Sequence, residues 1–250
     1  MKTMKKMTVA RRIHVGKLLT AGAACLLLFS GISDTLAINT YVRDLKGMSI
    51  PVQSYPVEAS VVALTFDVGA DSNSARIGDI LLALRSHNVK ATFFLTGSWI
   101  EANPRSAQAI VSAGHEVGQS LYTYRDTSQM SAEEVRAELE RSDAAWTKAG
   151  LPEHRAFRVP HGEAKSAVAK AIRSRHAELI GWSIDAAPKT KDDAVHVFGR
   201  MHEGVQPGDI LRMRVDQLSA AAVPGLLKSL RDSGYDVRSV NEMRGEGDRS

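Results

Sequence analysis

From residue 61 onward the chain alternates short, nearly continuous apolar runs with longer amphipathic stretches. Runs at 61–66, 91–96, 116–120, 156–158, 178–183, 209–213 and 236–240 predict strands, several of them buried on both faces. Helical periodicity covers 74–86, 99–113, 131–149, 163–176, 192–203 and 220–233. In the first of these Ile77, Ile80, Leu81 and Leu84 fall on one face, and Ser131 with Glu134 forms a capping box that opens the third. Repeated βα units with buried strands predict an α/β fold, a parallel sheet closed or nearly closed into a distorted (β/α)7-type barrel. Residues 38–57 hold Pro51 and Pro56 among mixed polar residues and predict a linker; residues 58–243 are the expected domain and 244–250 a tail.

The N-terminus has a different pattern. Six basic residues, Lys2, Lys5, Lys6, Arg11, Arg12 and Lys17, precede an apolar run at 18–32 and a small-residue stop at Thr35, Leu36 and Ala37. Residues 1–37 are therefore expected to be a signal peptide or membrane anchor, placing the rest on the extracytoplasmic face of a membrane, in the cell wall or in the medium. The Arg11-Arg12 pair is too weak by itself to indicate twin-arginine export.

This segment also accounts for the charge. The chain has 32 basic and 28 acidic residues, and the N-terminal 37 carry six of the basic ones but only Asp34 of the acidic ones. The remainder is near neutral, so no nucleic-acid partner is expected. Cys25, the single cysteine, lies inside the apolar run, so the body has no thiol for a disulfide or a metal.

In parallel α/β folds the chemistry collects where strands run into loops at the C-terminal edge of the sheet. The first strand ends Thr65-Phe66-Asp67-Val68-Gly69-Ala70-Asp71, and the second opens Lys90-Ala91-Thr92-Phe93-Phe94. The third runs from Gly114-His115-Glu116-Val117-Gly118 through Ser120 to Tyr122 and Tyr124. The fourth gives Arg158-Val159-Pro160-His161-Gly162, the fifth Gly181-Trp182-Ser183-Ile184-Asp185, and the sixth Gly208-Asp209-Ile210-Leu211-Arg212-Met213-Arg214.

In this order, over roughly residues 60–243, these segments resemble the polysaccharide deacetylases of carbohydrate esterase family four, the NodB homology domain. The resemblance implies a metal-dependent N-deacetylase fold with a catalytic base at Asp67 and an orienting arginine at Arg158. It also exposes departures. Val68 stands where the family has a metal-binding Asp, and Ser120 and Tyr124 where it has two metal-binding histidines. Arg214, preceded by Arg212, stands where it has the histidine that serves as general acid. Arginine stays protonated and cannot cycle a proton. A fixed charge at Arg214 would also oppose a dication, since a unit pair at about 4 Å interacts by roughly 4 kcal/mol at an effective dielectric of 20.

Metal-assisted hydrolysis needs the ion to polarise the acetyl carbonyl and activate water, and this pattern removes most of that machinery. Asp67 and Arg158 are the expected remnant of a catalytic pair. Asp71, Tyr122, Tyr124, Pro160, His161, Trp182, Asp185, Arg212 and Arg214 are the expected lining of a surviving cleft, with aromatics to stack on sugar rings and arginines to pair with carboxylates. His115 is expected to be a buried structural residue.

Three functions fit. The first is a silent deacetylase-fold protein that binds or positions cell-wall, peptidoglycan-like glycan and uses no cofactor. The second is a divergent active enzyme that recruits zinc or another divalent metal through Asp67, Asp71 and a histidine such as His161. The third is a structural envelope protein whose surface contacts a protein partner.

Overall fold

The computed structural model describes residues 51–127, 130–160, 166–190 and 204–245. Eight parallel strands lie among these residues: β1 (Val61–Val68), β2 (Thr92–Leu95), β3 (Glu116–Gln119), β4 (Ala156–Phe157), β5 (Glu178–Leu179), β6 (Ile184–Asp185), β7 (Ile210–Arg214) and β8 (Asp236–Arg238). They form one curled sheet in the order β5-β4-β3-β2-β1-β7-β6, with β8 also pairing β1. Helices α1 (Ser74–Ser86), α2 (Gly97–Ala102), α3 (Pro104–Ser112), α4 (Ala132–Lys148), α5 (Ser166–Arg173), α6 (Gln217–Asp232) and α7 (Val240–Met243) complete the described elements. The result is the expected distorted (β/α)7-type barrel in one domain.

Period-two alternation divides the core. On β1, Val62, Leu64, Phe66 and Val68 join the large layer beneath α1, α3 and α6, while Val61 and Ala63 join Phe94, Ala156, Ile180 and Ile210 in a separate cluster inside the barrel. Parallel pairing carries this parity across the sheet: Leu64 pairs with Leu211 in the outer layer, and Ala63 with Ile210 in the lumen. Thr65 and Asp67 on β1, and Arg212 and Arg214 on β7, therefore have the luminal parity.

Several boundaries differ from expectation for local reasons. The stretch 99–113 is two helices, because Pro104 at the start of α3 has no N–H to continue α2, and Asn103 before it takes a non-helical φ of −135° and ψ of 50°. Of the run 178–183 only Glu178–Leu179 is strand, as β5; β6 starts just beyond it at Ile184, and the two form the ends of the sheet path. The last strand stops at Arg238 because Ser239 and Glu242 form a capping box that starts α7. The capping box at Ser131 and Glu134 is present at the start of α4. The helix expected at 192–203 lies outside the described residues.

The spacer expected through residue 57 is part of the barrel in its last residues. Val52 bridges Ile180, Ser54 bridges Asp209, and Val52 and Tyr55 are buried in the luminal cluster. Gly208, at φ +88°, makes this possible: a Cβ there would sit 1.8 Å from the Tyr55 carbonyl oxygen. At the other end of the domain Arg244, expected in a tail, pairs with Glu116 at 3.2 Å and Glu178 at 3.4 Å beneath the strands. Among the described residues no helix is long and apolar enough to cross a membrane, and the run 18–32 lies outside them.

Candidate functional site

Asp67, near the C-terminal end of β1, is the centre of the cluster. It is 6% exposed and accepts three hydrogen bonds. Arg158 Nη1 donates to Oδ1 at 3.0 Å; Arg212 Nε at 2.7 Å and the Tyr124 hydroxyl at 3.1 Å both donate to Oδ2. Arg158 comes from the turn after β4 and is almost fully buried. Its remaining donors reach Thr65 Oγ1 at 2.8 Å and the carbonyls of Ile180 at 3.2 Å and Gly181 at 2.7 Å. Its guanidinium lies 4.1 Å from the Phe94 ring centre. Phe94 needs Gly118 on the neighbouring strand, where a Cβ would come within 2.7 Å of the ring.

Arg212 spreads its three nitrogens over three residues. Besides Nε to Asp67, Nη1 donates to Asp185 Oδ2 at 3.0 Å and Nη2 to the Tyr124 hydroxyl at 3.1 Å. Its guanidinium lies 4.6 Å from the centre of the Trp182 ring, an arrangement that favours a cation over an aromatic face. In register Arg212 lies opposite Thr65, two residues before Asp67, and its long side chain runs forward to the carboxylate.

The charges set the protonation states. Burial alone would raise the Asp67 pKa, but the Arg158 and Arg212 charges and their hydrogen bonds outweigh it and hold the carboxyl below its ordinary value. Burial, followed by the Asp67 charge, pushes the Tyr124 phenol up to about 12. Asp67 is therefore an ionised group with both oxygens engaged, a poor proton acceptor, and Tyr124 is a neutral phenol near neutral pH.

A divalent metal does not fit this donor set. Val68 is buried in the outer apolar layer, and Ser120 is buried with its carbonyl accepting from Ser142 Oγ at 2.9 Å. Tyr124 holds its proton, and a guanidinium already lies on Asp67 Oδ2. Among the described residues no group of three or more His, Cys, Asp or Glu is placed to hold a metal ion.

The structure thus brings together six of the expected residues: Asp67, Tyr124, Arg158, Trp182, Asp185 and Arg212. Arg214 lies at the cleft but does not reach Asp67. It pairs with exposed Asp71 at 2.9 Å, so the cation that occupies Asp67 is Arg212. Arg214 and Asp71 line a cavity of about 270 Å³ together with Asp67, Tyr124, Ser72 and Asp216. Tyr122 is engaged at the rim, where its hydroxyl donates to Glu101 at 2.6 Å and Arg141 lies 3.6 Å from its ring centre. Pro160 is buried, and His161 lies outside the described residues. His115 is buried, as expected, and its Nδ1 accepts from the Ala91 N–H at 3.2 Å. Thr65 and Phe94, which support Arg158, were not singled out from sequence; both have the luminal parity of Asp67 and Arg212, which was the available signal.

The molecule is thus an α/β barrel with an Asp–Arg pair at the C-terminal ends of its strands, the edge where such barrels hold their functional residues. The chain belongs to the polysaccharide deacetylase family, whose family profile matches residues 54–179. It is 31% identical over 188 residues to the peptidoglycan-N-acetylglucosamine deacetylase PgdA of Listeria monocytogenes, a match covering 74% of this chain and 39% of that protein. It is 25% identical over 167 residues to the uncharacterized protein YlxY of Bacillus subtilis, covering 67% of this chain and 52% of YlxY. The chain thus spans about half or less of these curated relatives. Among solved structures it is similar to BA3943 of Bacillus anthracis, described as a CE4 family pseudoenzyme, with TM-score 0.71, 27% identity, and coverage of 79% of this chain and 70% of that one. A mutant of BA3943, described as having restored enzymatic activity, matches at 28% identity with the same TM-score, covering 79% of this chain and 72% of that chain.

Proposed function

We propose that this chain is an exported, catalytically silent polysaccharide deacetylase-like protein that acts at the cell wall, where its cleft binds or positions peptidoglycan-like glycan. One observation carries the silent half of this reading: both oxygens of Asp67 are occupied, by Arg158 on one side and by Arg212 and Tyr124 on the other. A base must offer a free lone pair to water, and a metal ligand must offer one to the ion. Three of the carboxylate's roughly four acceptor sites are taken, and the two guanidinium charges beside it disfavour both a proton and a dication. The family's general-acid position holds Arg214, and a guanidinium is not a group that cycles a proton.

The glycan half is supported by the cleft itself and by the relatives. A cavity of about 270 Å³ opens beside Tyr124 and Arg214, large enough for a single sugar unit and lined with polar groups. PgdA of Listeria is named for peptidoglycan, and BA3943 supplies a precedent for a silent member of the fold. Export is supported by the basic and apolar pattern of residues 1–37. Against the divergent-enzyme reading, Asp71, which lines the same cavity as Asp67, is paired with the guanidinium of Arg214.

The test is to incubate the purified chain with zinc or cobalt, dialyse, and measure bound metal and acetate release from chitin oligomers. Binding to peptidoglycan is then measured with and without chelator. The expected outcome is no acetate release and glycan binding unaffected by chelation. Near-stoichiometric metal with acetate release that depends on Asp67 would establish the active alternative instead. Absence of glycan binding would leave the protein-partner reading.

A further inference from the structure

We infer that Arg212 is the resident cation of this cleft: a guanidinium supplied by β7 that holds Asp67, Tyr124 and Asp185 in one cluster, beside Tyr124, one of the positions the family resemblance gives to a metal ligand. The inference rests on the silent half of the functional reading and is independent of glycan binding. Its basis is the distribution of contacts. Each of the three Arg212 nitrogens goes to a different residue, from β1, from the segment after β3, and from β6. A planar guanidinium with fixed donor directions suits this branching, whereas a lysine ammonium would be a single point charge. The Trp182 ring 4.6 Å away adds a favourable face for a cation.

The charge balance also requires it. Asp67 is 6% exposed, and an ionised carboxylate at that depth needs compensation. Arg158 supplies one positive charge but donates only to Oδ1, and its other donors are committed to Thr65, Ile180 and Gly181. Without Arg212, Oδ2 would keep only the neutral Tyr124 hydroxyl. Asp185, whose side chain is 45% exposed, would lose its ion-pair partner at the same time and keep the Ala187 N–H on Oδ1. Two carboxylate oxygens that now face one guanidinium would then face a cavity of net negative charge, and oxygen donors of this kind suit a hard or borderline divalent cation.

A dependence on exogenous cation should therefore appear when the internal one is removed. The experiment uses the full chain and compares wild type, Arg212→Leu, Arg212→Gln and the double variant Asp67→Asn/Arg212→Leu. Thermal unfolding is recorded with chelator and with ~1 mM zinc, cobalt or magnesium, and bound metal is measured by calorimetry. Wild type is expected to unfold at the same temperature in every condition. Arg212→Leu is expected to lose on the order of 10 °C in chelator, as removal of one partner of a buried ion pair does in a domain of this size. It should recover several degrees in divalent cation. Asp67→Asn/Arg212→Leu, which also strips buried Arg158 of its counter-charge, should be no more stable than the single variant and should be indifferent to metal. Arg212→Gln, which keeps hydrogen bonding without charge, should follow Arg212→Leu; it decides the matter if the leucine variant does not fold. A metal-free wild type whose neutral Arg212 variants stay indifferent to every cation would overturn this inference alone. A wild type that itself takes up metal would overturn the silent-cleft reading and this inference with it.

Discussion

The two ends of the barrel each carry an arginine–carboxylate network, and they are built differently. At the floor, Arg244 pairs with Glu116 and Glu178, and those acids are already held by other groups. Thr92 Oγ1 and the Asn241 N–H donate to Glu116 Oε2 at 2.6 and 2.8 Å, and the Tyr55 hydroxyl donates to Glu178 at 2.9 Å. At the mouth, Asp67 takes two guanidinium charges directly, with one phenol and no backbone donor among its contacts. The floor distributes its charge over backbone and side chains from both ends of the domain, which is how a closure device is satisfied. The mouth concentrates charge on one carboxylate. A distributed network should tolerate the loss of one member. A concentrated one should not.

The largest expected effect tests that contrast at its strongest point. Arg158→Leu removes one of the two charges compensating Asp67 and leaves the Ile180 and Gly181 carbonyls without their donor. Breaking a buried pair from one side typically costs about 3–5 kcal/mol. Denaturant unfolding of Arg158→Leu should show a loss in that range, and Asp67→Asn/Arg158→Leu a smaller one. A loss below about 1 kcal/mol would mean that Arg212 alone suffices for Asp67.

Acidification should separate the two ends next. His115 lines the floor cavity of about 550 Å³ with Glu116 and Arg244, and burial, then the nearby Lys90 charge, depresses its pKa to about 4. Its folded value lies below its unfolded one, so its contribution to stability is fully present above pH ~6.5. It is lost as the pH falls toward about 4, because there the unfolded chain binds a proton that the folded chain refuses. At about 1.36 kcal/mol per unit the loss amounts to roughly 3 kcal/mol. Burial also lowers His154, which lines the same cavity and adds in the same direction. Asp67, whose pKa is depressed as well, contributes stability above its unfolded value near 3.9 and loses it only below that. The floor should therefore weaken before the mouth. Replacing His115 with Gln should flatten the dependence between pH 6.5 and 4; an unchanged slope would remove His115 from the account.

Much of this was legible in the sequence, and the limits are instructive. The barrel followed from periodicity alone, because buried parallel strands leave a strong apolar signal. The Asp67–Arg158 pair followed from what the family resemblance implies for those two motifs. What the motifs left undecided was which of the two β7 arginines reaches Asp67: Arg214 occupies the aligned catalytic position, and Arg212 makes the contact. Both have luminal parity, and parity cannot decide which of two long side chains bends toward a buried charge. Register decides it, since Arg212 starts level with Thr65, below the carboxylate, and extends up to it, whereas Arg214 starts level with Asp67 and extends past it to Asp71. The floor network was invisible because Tyr55, Glu178 and Arg244 lie more than 60 residues apart in sequence and share no motif.

A smaller effect is expected at the floor than at the mouth. Arg244→Ala removes both floor ion pairs, but Glu178 is a third exposed and Glu116 keeps its bonds from Thr92 and Asn241. Loss of a charged hydrogen-bond partner of this kind costs about 1–3 kcal/mol, and partial exposure puts this case toward the low end. Denaturant unfolding that placed Arg244→Ala above Arg158→Leu would reverse the comparison between a distributed and a concentrated network.

The smallest stability effect, and the most specific one, belongs to Arg214. Its partner Asp71 is exposed, and surface pairs contribute about 0–1 kcal/mol, so Arg214→Ala should unfold within about 1 kcal/mol of wild type. Its guanidinium also lies 6.0 Å from the Tyr124 ring centre and lines the cavity of about 270 Å³, so it is positioned to meet whatever enters. Because the Asp71 pair is weak, Arg214 can exchange that carboxylate for a hydroxyl or carboxylate of a glycan at little cost. Arg214→Ala should therefore weaken glycan binding several-fold while leaving the Asp67 cluster and the fold intact, and Asp71→Asn should strengthen binding or leave it unchanged. Binding isotherms on peptidoglycan fragments, with unfolding curves on the same samples, measure the two effects separately. If Arg214→Ala binds glycan as wild type does, the cavity beside Tyr124 is not where the glycan sits, and the contrast between a structural floor and a ligand-facing mouth loses its functional side.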